Sequence, residues 1–437
     1  MSALQRQYAL NAYRWLPVTF ARRVVFGRDP YWRQVFWSRW GRFPSDALRA
    51  LEGGPVVWID ALAGGEITQS VSFCRGLRER LPQHRLLLTT NNRYSYDFAR
   101  RNLAVDAVVD APWDCVGPVR RALARVNPVA LVAIENLTAP VLFMEAARRG
   151  VTTAVVSGLM SHGAQRHPMM TRAMELGPFS RLTVIGAKEE EDREGFVAAG
   201  APSARVVRSG NMKFDLDFLS VDPAARDALA RSLHLGPMEP ILLAASVHPG
   251  EERLVGEAFL QARRHEPDLR LVLVPRYDFH ADAMMATLAE LGLASVRRTR
   301  LGAGPPAGAP VIVVDTFGEL NRLYALATAV FLGGTTYVRN VVGFGQNPIE
   351  PLAHRKPLFF GPVMNLWRGI ADELKTSWPG LEIGDANDLA KGVVAVLQDT
   401  VLVDRILKTV DAILSRHGDD VRRNVDLVVD AVTRRPR

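Results

Sequence analysis

Apolar runs of four to eight residues recur along this chain, and stretches of helical spacing lie between them. Residues 55–62 (PVVWIDAL) read as a first strand; it breaks into Ala63-Gly64-Gly65-Glu66, and helical spacing follows from Ile67 to about Arg80. Residues 85–90, 105–109, 130–134, 151–156 and 181–185 read as five further strands. Strands alternating with helices at this spacing predict a parallel, doubly wound sheet. Such sheets bind ligands beyond the carboxyl ends of their strands, where Glu66, Asn91 and Glu135 fall. The pattern then restarts at 241–245 and continues with 270–274, 310–314, 329–332 and 357–360. At 437 residues the chain exceeds one ordinary core. Two α/β units joined near residues 210–235 are therefore expected. Residues 302–310, rich in Gly and Pro, read as a surface loop. A last helical stretch, from about Leu402 to Val432, is long enough to cross back onto the first unit.

Composition excludes several classes. A hydrophobic share of 48% with 23% charged residues describes a globular chain. Cys74 and Cys115 provide neither a metal spacing nor a disulfide framework, so a reducing compartment is expected. No run approaches the ~18 apolar residues of a membrane span, and no short apolar signal core opens the chain.

The net charge of +8 is concentrated at one end. Residues 1–42 hold eight Arg against Asp29 alone, which is +7, together with four of the eight Trp and Tyr8, Tyr13 and Tyr31. Arg interleaved with Trp and Tyr suits a segment lying on an anionic membrane surface. The other reading is a helix whose aromatics pack on its own domain. Nucleic acid is not expected as a partner, because it would select a basic face on the folded units, which are near neutral.

One stretch combines several local signals. Residues 333–351 (GGTTYVRNVVGFGQNPIEP) follow the apolar run 329–332 and lead into Asn347-Pro348-Ile349-Glu350. Asn347 as N-cap, Pro348 as first helical residue and Glu350 three after the cap would form a capping box. A strand, a glycine-rich loop and a helix start form a site for an anion. The same residues could equally do nothing except cap a helix.

Several short motifs now fall in order. They are Gly65-Glu66 after the first strand, GNMKFD at 210–215, ASVHPGEE at 245–252 and LVPR at 273–276. DTFGEL at 315–320 with Tyr324, the glycine pair 333–334, QNPIEP at 346–351 and Gly361-Pro362 follow. With these motifs the chain resembles the 3-deoxy-D-manno-octulosonic acid (Kdo) transferases over nearly its whole length. The resemblance implies a GT-B fold, two facing Rossmann-like doubly wound parallel-sheet domains with the active site in their cleft. It implies a basic aromatic membrane-associating segment 1–42, an acceptor domain 43–215, a donor domain 216–410 and a C-terminal helix 411–437 packing back on the first domain.

The resemblance also implies a chemistry. Kdo would pass from CMP-Kdo to a lipid A precursor with inversion and without a metal or other cofactor, at the cytoplasmic face of the inner membrane. Glu66 matches the family's catalytic Glu, a general base in a glycine-lined turn, although it could also serve only as a helix cap. On the donor side, Glu350 matches the position that holds the CMP ribose, with Asn347 beside it. Arg276 after Pro275 offers a fork for phosphate or cytidine. Gly318 and Glu319 would meet the nucleotide beside Gly333 and Gly334, and Ser246 and His248 the phosphate or the Kdo carboxylate. Lys213 is either a Kdo carboxylate contact or a hinge lysine. On the acceptor side, Gly65, Glu135 and Ser161 are the candidates.

Three departures stand out. Gln346 occupies a position where the family has His. Leu137 replaces the second acid of the family's ETELWPN segment, and Leu159 replaces the Arg of its NARLS segment; His162, Arg166 and His167 stand nearby. These changes leave open a related CMP-sugar transferase with another lipid or glycan acceptor, or a non-catalytic binding homologue.

Overall fold

A computed structural model of the chain describes residues 30–62, 64–160, 177–236, 239–302, 309–336 and 345–434. It divides into two compact units, residues 1–218 with 417–437, and residues 219–416.

The first unit carries seven parallel strands: β1 (Val56–Asp60), β2 (Arg85–Thr90), β3 (Ala107–Asp110), β4 (Ala130–Ile134), β5 (Thr152–Gly158), β6 (Val184–Ala187) and β7 (Val206–Arg208). Their order is β3-β2-β1-β4-β5-β6-β7. β1, β4 and β5 are buried along their whole length, which is why β1 and β4 read as nearly continuous apolar runs. One core, around Trp58, Leu87, Leu131 and Phe143, lies on one face of the sheet; another, around Ile59, Phe73, Leu88 and Val132, lies on the other.

The second unit carries β8 (Ile241–Val247), β9 (Arg270–Pro275), β10 (Ser295–Arg297), β11 (Val311–Val313), β12 (Ala329–Leu332) and β13 (Leu358–Phe360). Its order is β10-β11-β9-β8-β12-β13, again all parallel. In each unit the chain winds outward from one strand, returns and winds the other way. The reversal falls between β1 and β4 in the first unit and between β8 and β12 in the second.

Several expectations need correction. The strands β7 and β10 carry no apolar run and were not legible. β6 begins at Val184 rather than at 181, because Phe179–Arg181 forms a 3₁₀ turn. The single C-terminal helix is two, Thr400–His417 and Asp420–Thr433, separated at Gly418-Asp419. The buried Asp420 carboxylate accepts from the Asn211 N–H at 2.6 Å, 2.7 Å from His417 Nδ1. An acid in a helix's first turn also complements the dipole, so a new helix starts there. Asn424 then accepts from the Ser157 N–H (2.9 Å) and Ser209 Oγ (2.7 Å), and Val425, Val428 and Val429 enter the core. This pins the last helix to the first unit.

Of the basic aromatic segment, residues 1–29 lie outside the described residues. Residues 30–42 pack on their own unit, as the packing-helix reading expects. On the helix Pro30–Arg39, Tyr31 and Val35 are buried, and Arg39 donates to the carbonyls of Ala111 (3.0 Å) and Asn91 (3.1 Å).

Beneath that helix lie two buried carboxyls, Asp60 and Asp110, and Oδ2 of each has no hydrogen-bond partner. Burial pushes Asp60 up to about 7 and Asp110 up to about 6, against the pull of Arg39 and of Thr89 or Tyr31. The folded chain therefore holds protons that the unfolded chain releases above ~pH 4, and stability falls as pH rises from there through 7. Asp60→Asn is expected to raise the unfolding free energy at pH 8 by roughly 2 kcal/mol, with the gain shrinking at pH 4.5. Chemical denaturation of both proteins across this range checks it; parallel pH profiles would refute the assignment.

Candidate active site

In the first unit, the elements after β1 and β4 meet at the reversal point of the sheet. The helix Gly64–Arg80 opens on two glycines, and a Cβ added at either would touch nothing within 4 Å. Glu66 stands in its first turn and is 5% exposed. Its Oε2 accepts from the Leu62 N–H at 2.6 Å, and its Oε1 from Asn136 Nδ2 at 3.2 Å. The carboxylate is thus oriented from both sides, by the end of its own strand and by the residue following Glu135.

Glu135 sits just past β4 with φ of 62°, which turns its side chain into the interior. Its Oε2 accepts from Gln69 Nε2 (2.8 Å), while its Oε1 accepts from Lys213 Nζ (2.9 Å) and from Lys188 Nζ. Ser157, at a bulge in β5 with φ of 50°, donates to Gln69 Oε1 at 3.2 Å. Burial alone would raise the Glu135 carboxyl, but Lys188 and Lys213 more than offset it and hold it well below the usual carboxylate range. Lys188, also buried, is pushed down to about 8 by desolvation, against the attraction of Glu135 and with repulsion from Lys213.

The expected acceptor residue and the expected Kdo-carboxylate lysine are therefore partners of each other. Through this pair Lys213 ties the 210–215 loop to the end of β4. Ser161, with His162, Arg166 and His167, lies outside the described residues. Gln69, Asn136 and Lys188 were missed. Gln69 is three residues after Glu66 and shares its helix face. Lys188 directly follows β6, a signal concealed when that strand is read three residues too early.

In the second unit the donor candidates gather at the other reversal point. Ser246 (φ 54°) sits at a register shift in β8, and His248 follows that strand. Gly333 lies so close to β8 that a Cβ would fall 2.5 Å from the Ser246 carbonyl oxygen. At Gly334 (φ 67°) a Cβ would meet the His248 ring at 2.9 Å. The buried Glu251 clamps this region, accepting from the N–H groups of His248 (2.9 Å) and Gly334 (2.7 Å) and from Thr336 Oγ1 (2.6 Å). His248 stands 3.2 Å from Gln346 Nε2, and burial lowers its pKa despite Glu251, so the neutral ring accepts from the amide.

Pro275 ends β9, and the Arg276 N–H donates to the Val247 carbonyl at 2.8 Å, with its guanidinium over Tyr277. Gly318 takes φ of 82° just before the helix Leu320–Leu326. Glu319 at that start accepts from Arg298 (3.3 Å) and from Thr316 Oγ1.

The capping box at 347–350 is absent. The helix is Ile349–Ala353, and Asn347 Oδ1 instead accepts from the Ile349 N–H at 3.0 Å, an Asx turn; its Nδ2 stands 3.4 Å from Glu350 Oε1. Pro348 has no N–H, so the side chain of Asn347 takes the next one. Asn347 and Glu350 thus stand side by side. Among the described residues, no three His, Cys, Asp or Glu side chains gather as a cation site.

Comparison with known proteins agrees with this geometry. The family model described as "3-Deoxy-D-manno-octulosonic-acid transferase (kdotransferase)" matches residues 34–216. A 3-deoxy-D-manno-octulosonic acid transferase of Bordetella pertussis is 28% identical over 414 residues, covering 91% of this chain and 92% of the relative. Its counterpart in Haemophilus influenzae is 23% identical over 404 residues, 92% of each. In fold, the chain is similar to the UDP-GlcNAc 2-epimerase of Neisseria meningitidis, with a TM-score of 0.61 at 9% identity over 86% of this chain and all of that one. Two Rossmann-like units of GT-B type, the ordered motifs and relatives matched along nine-tenths of their length point the same way: over most of its length the chain is similar to the 3-deoxy-D-manno-octulosonic acid transferases.

Proposed function

We propose that this protein transfers Kdo from CMP-Kdo to a lipid A precursor in lipopolysaccharide synthesis, inverting the anomeric centre, with Glu66 as general base. The observation that carries this is the Glu66 carboxylate, buried at the reversal point and aimed by Leu62 and Asn136. It takes the proton of the acceptor hydroxyl as that oxygen attacks the anomeric carbon. The bond to the CMP phosphate breaks in the same displacement, and CMP departs with the electron pair, needing little acid assistance. Open space over Gly64 and Gly65 leaves room for the acceptor sugar.

Donor binding is assigned to Ser246, His248, Pro275, Arg276, Gly318, Glu319, Gly333, Gly334, Asn347 and Glu350. Arg276 answers the phosphate, while Glu350 beside Asn347 accepts from ribose hydroxyls. Lys213, its side chain 21% exposed, presents a cation for a negatively charged acceptor group from the Glu135 network. The cation lost at Leu159 is supplied from this network instead. Purified protein incubated with CMP-Kdo and lipid IVA should yield a product heavier by one or more Kdo units in mass spectrometry. CMP binding without any such product would overturn the acceptor assignment.

One observation favours a different lipid or glycan acceptor: Leu137 is 1% exposed and part of the core, so the family's second acid has no counterpart there.

Residence on the cytoplasmic face of the inner membrane is part of the same proposal. Among the described residues, no helix is long and apolar enough to cross a membrane. Arg side chains near an anionic surface contribute about 1 kcal/mol each at low salt. Deleting residues 1–28 should abolish binding to phosphatidylglycerol vesicles and leave CMP affinity unchanged; a full-length protein that ignores such vesicles would refute the role.

A further inference from the structure

A cavity of about 810 Å³ opens in the second unit at the amino ends of its strands, a size usual for small-ligand sites. Pro240-Ile241 before and in β8, Thr328 before β12 and Pro357 before β13 form its floor with Leu235, Ala327 and Val403. The donor candidates lie at the opposite ends of the same strands. Six residue steps along β8, at ~3.3 Å each, put about 20 Å between Ile241 and Val247. The cavity therefore does not belong to the donor site.

Its rim is cationic. Arg226, Arg231, Arg355 and Lys356 line it against only Asp227 and Glu239. Glu239 is already engaged, accepting from the Gly236 N–H at 2.7 Å and lying 3.4 Å from Arg270. Arg226 and Arg355 hold exposed pairs with Asp227 (2.8 Å) and Asp411 (3.0 Å), of the kind worth at most ~1 kcal/mol and readily exchanged. Among the described residues, neither Lys356 nor Arg231 has a side-chain hydrogen bond or carboxylate partner. Lys356 is half-buried, so its ammonium is partly desolvated, with Arg226 near enough to repel it. A half-buried ammonium without a counter-ion beside a second cation is unfavourable alone and is relieved by an anion.

We propose that this cavity binds a phosphorylated small molecule with an apolar part, its phosphate held by Lys356 and Arg231 and its apolar portion on the floor of Leu235, Pro240, Ile241 and Val403. Arg226 and Arg355 turn inward to complete the shell. Guanidinium and ammonium groups around one point suit a phosphate monoester, whose oxygens accept several charge-assisted bonds. The phosphate could belong to a lipid headgroup or to a soluble metabolite, and the two differ in how much the apolar part contributes.

The test is calorimetric titration of the full-length protein, saturated with CMP so that the donor site is occupied. The probes are dihexanoyl phosphatidic acid, dihexanoyl phosphatidylcholine and inorganic pyrophosphate. The expected result is binding of the phosphatidic acid at least tenfold tighter than pyrophosphate, with none of the zwitterionic phosphatidylcholine. Lys356→Glu with Arg231→Glu should weaken that binding at least tenfold while CMP affinity stays unchanged. The milder Lys356→Gln, which keeps the side chain's bulk, should weaken it severalfold and guards against a folding defect in the double variant. Pyrophosphate binding as tightly as the amphiphile would overturn the apolar half of the proposal in favour of a soluble phosphate. Equal binding by parent and variants, or no binding of either anion, would overturn the site.

Discussion

Glu66→Gln is expected to leave CMP affinity within about threefold of the parent and to lower turnover by at least ~100-fold, the usual weight of a positioned base. Gln keeps the length and shape of the side chain. Its carbonyl oxygen can still accept from the Leu62 N–H, now met at 2.6 Å, so the helix start should survive. What disappears is the second carboxylate oxygen, facing Asn136, and with it the ability to take a proton. Initial rates with CMP-Kdo and lipid IVA, alongside a CMP titration and a melting curve, separate the possibilities. A drop in melting temperature with turnover reduced only a few-fold would make Glu66 a local latch and nothing more.

Glu135→Gln is expected to lower the unfolding free energy by about 3–5 kcal/mol, because it leaves Lys188 charged and uncompensated in the interior. Lys188 and Glu135 are both buried, and Gln69 and Ser157 complete the network around them. Adding Lys188→Met to the same chain should restore most of the loss, since an unbranched apolar side chain has no charge to desolvate. The readout is the denaturant midpoint at constant slope. If Glu135 were chiefly an acceptor contact, the single variant would raise the acceptor KM and change stability by no more than ~0.5 kcal/mol.

Much of the architecture was legible in the chain itself. Strands buried on both faces, such as β1 (VVWID) and β4 (ALVAI), are apolar along nearly all their length, and the helices between them must keep one apolar face. The alternation of the two therefore announces both parallel sheets and the strand ends where Glu66, Glu135, Ser246 and Gly333 stand. The resemblance of the short motifs added which of these ends would carry chemistry.

The edge strands β7 and β10 were hidden for the converse reason. Each has three residues and a single neighbour, so exposed positions such as Val207 need no apolar run around them. The start of the helix at Ile349 was equally beyond local rules, because Asn347 serves an Asx turn and Glu350 rather than a capping box.

The site's polar network was settled only by tertiary structure. Lys188 and Lys213 reach Glu135 across 53 and 78 residues of sequence, and Asn136 reaches Glu66 across 70. Local composition decides whether a segment is a strand or a helix, since burial acts residue by residue. Which charges meet depends on strand order, register and the turn after each strand, here the positive φ of Glu135 and the place where β6 ends. Those are properties of the whole packed sheet, and no single segment encodes them.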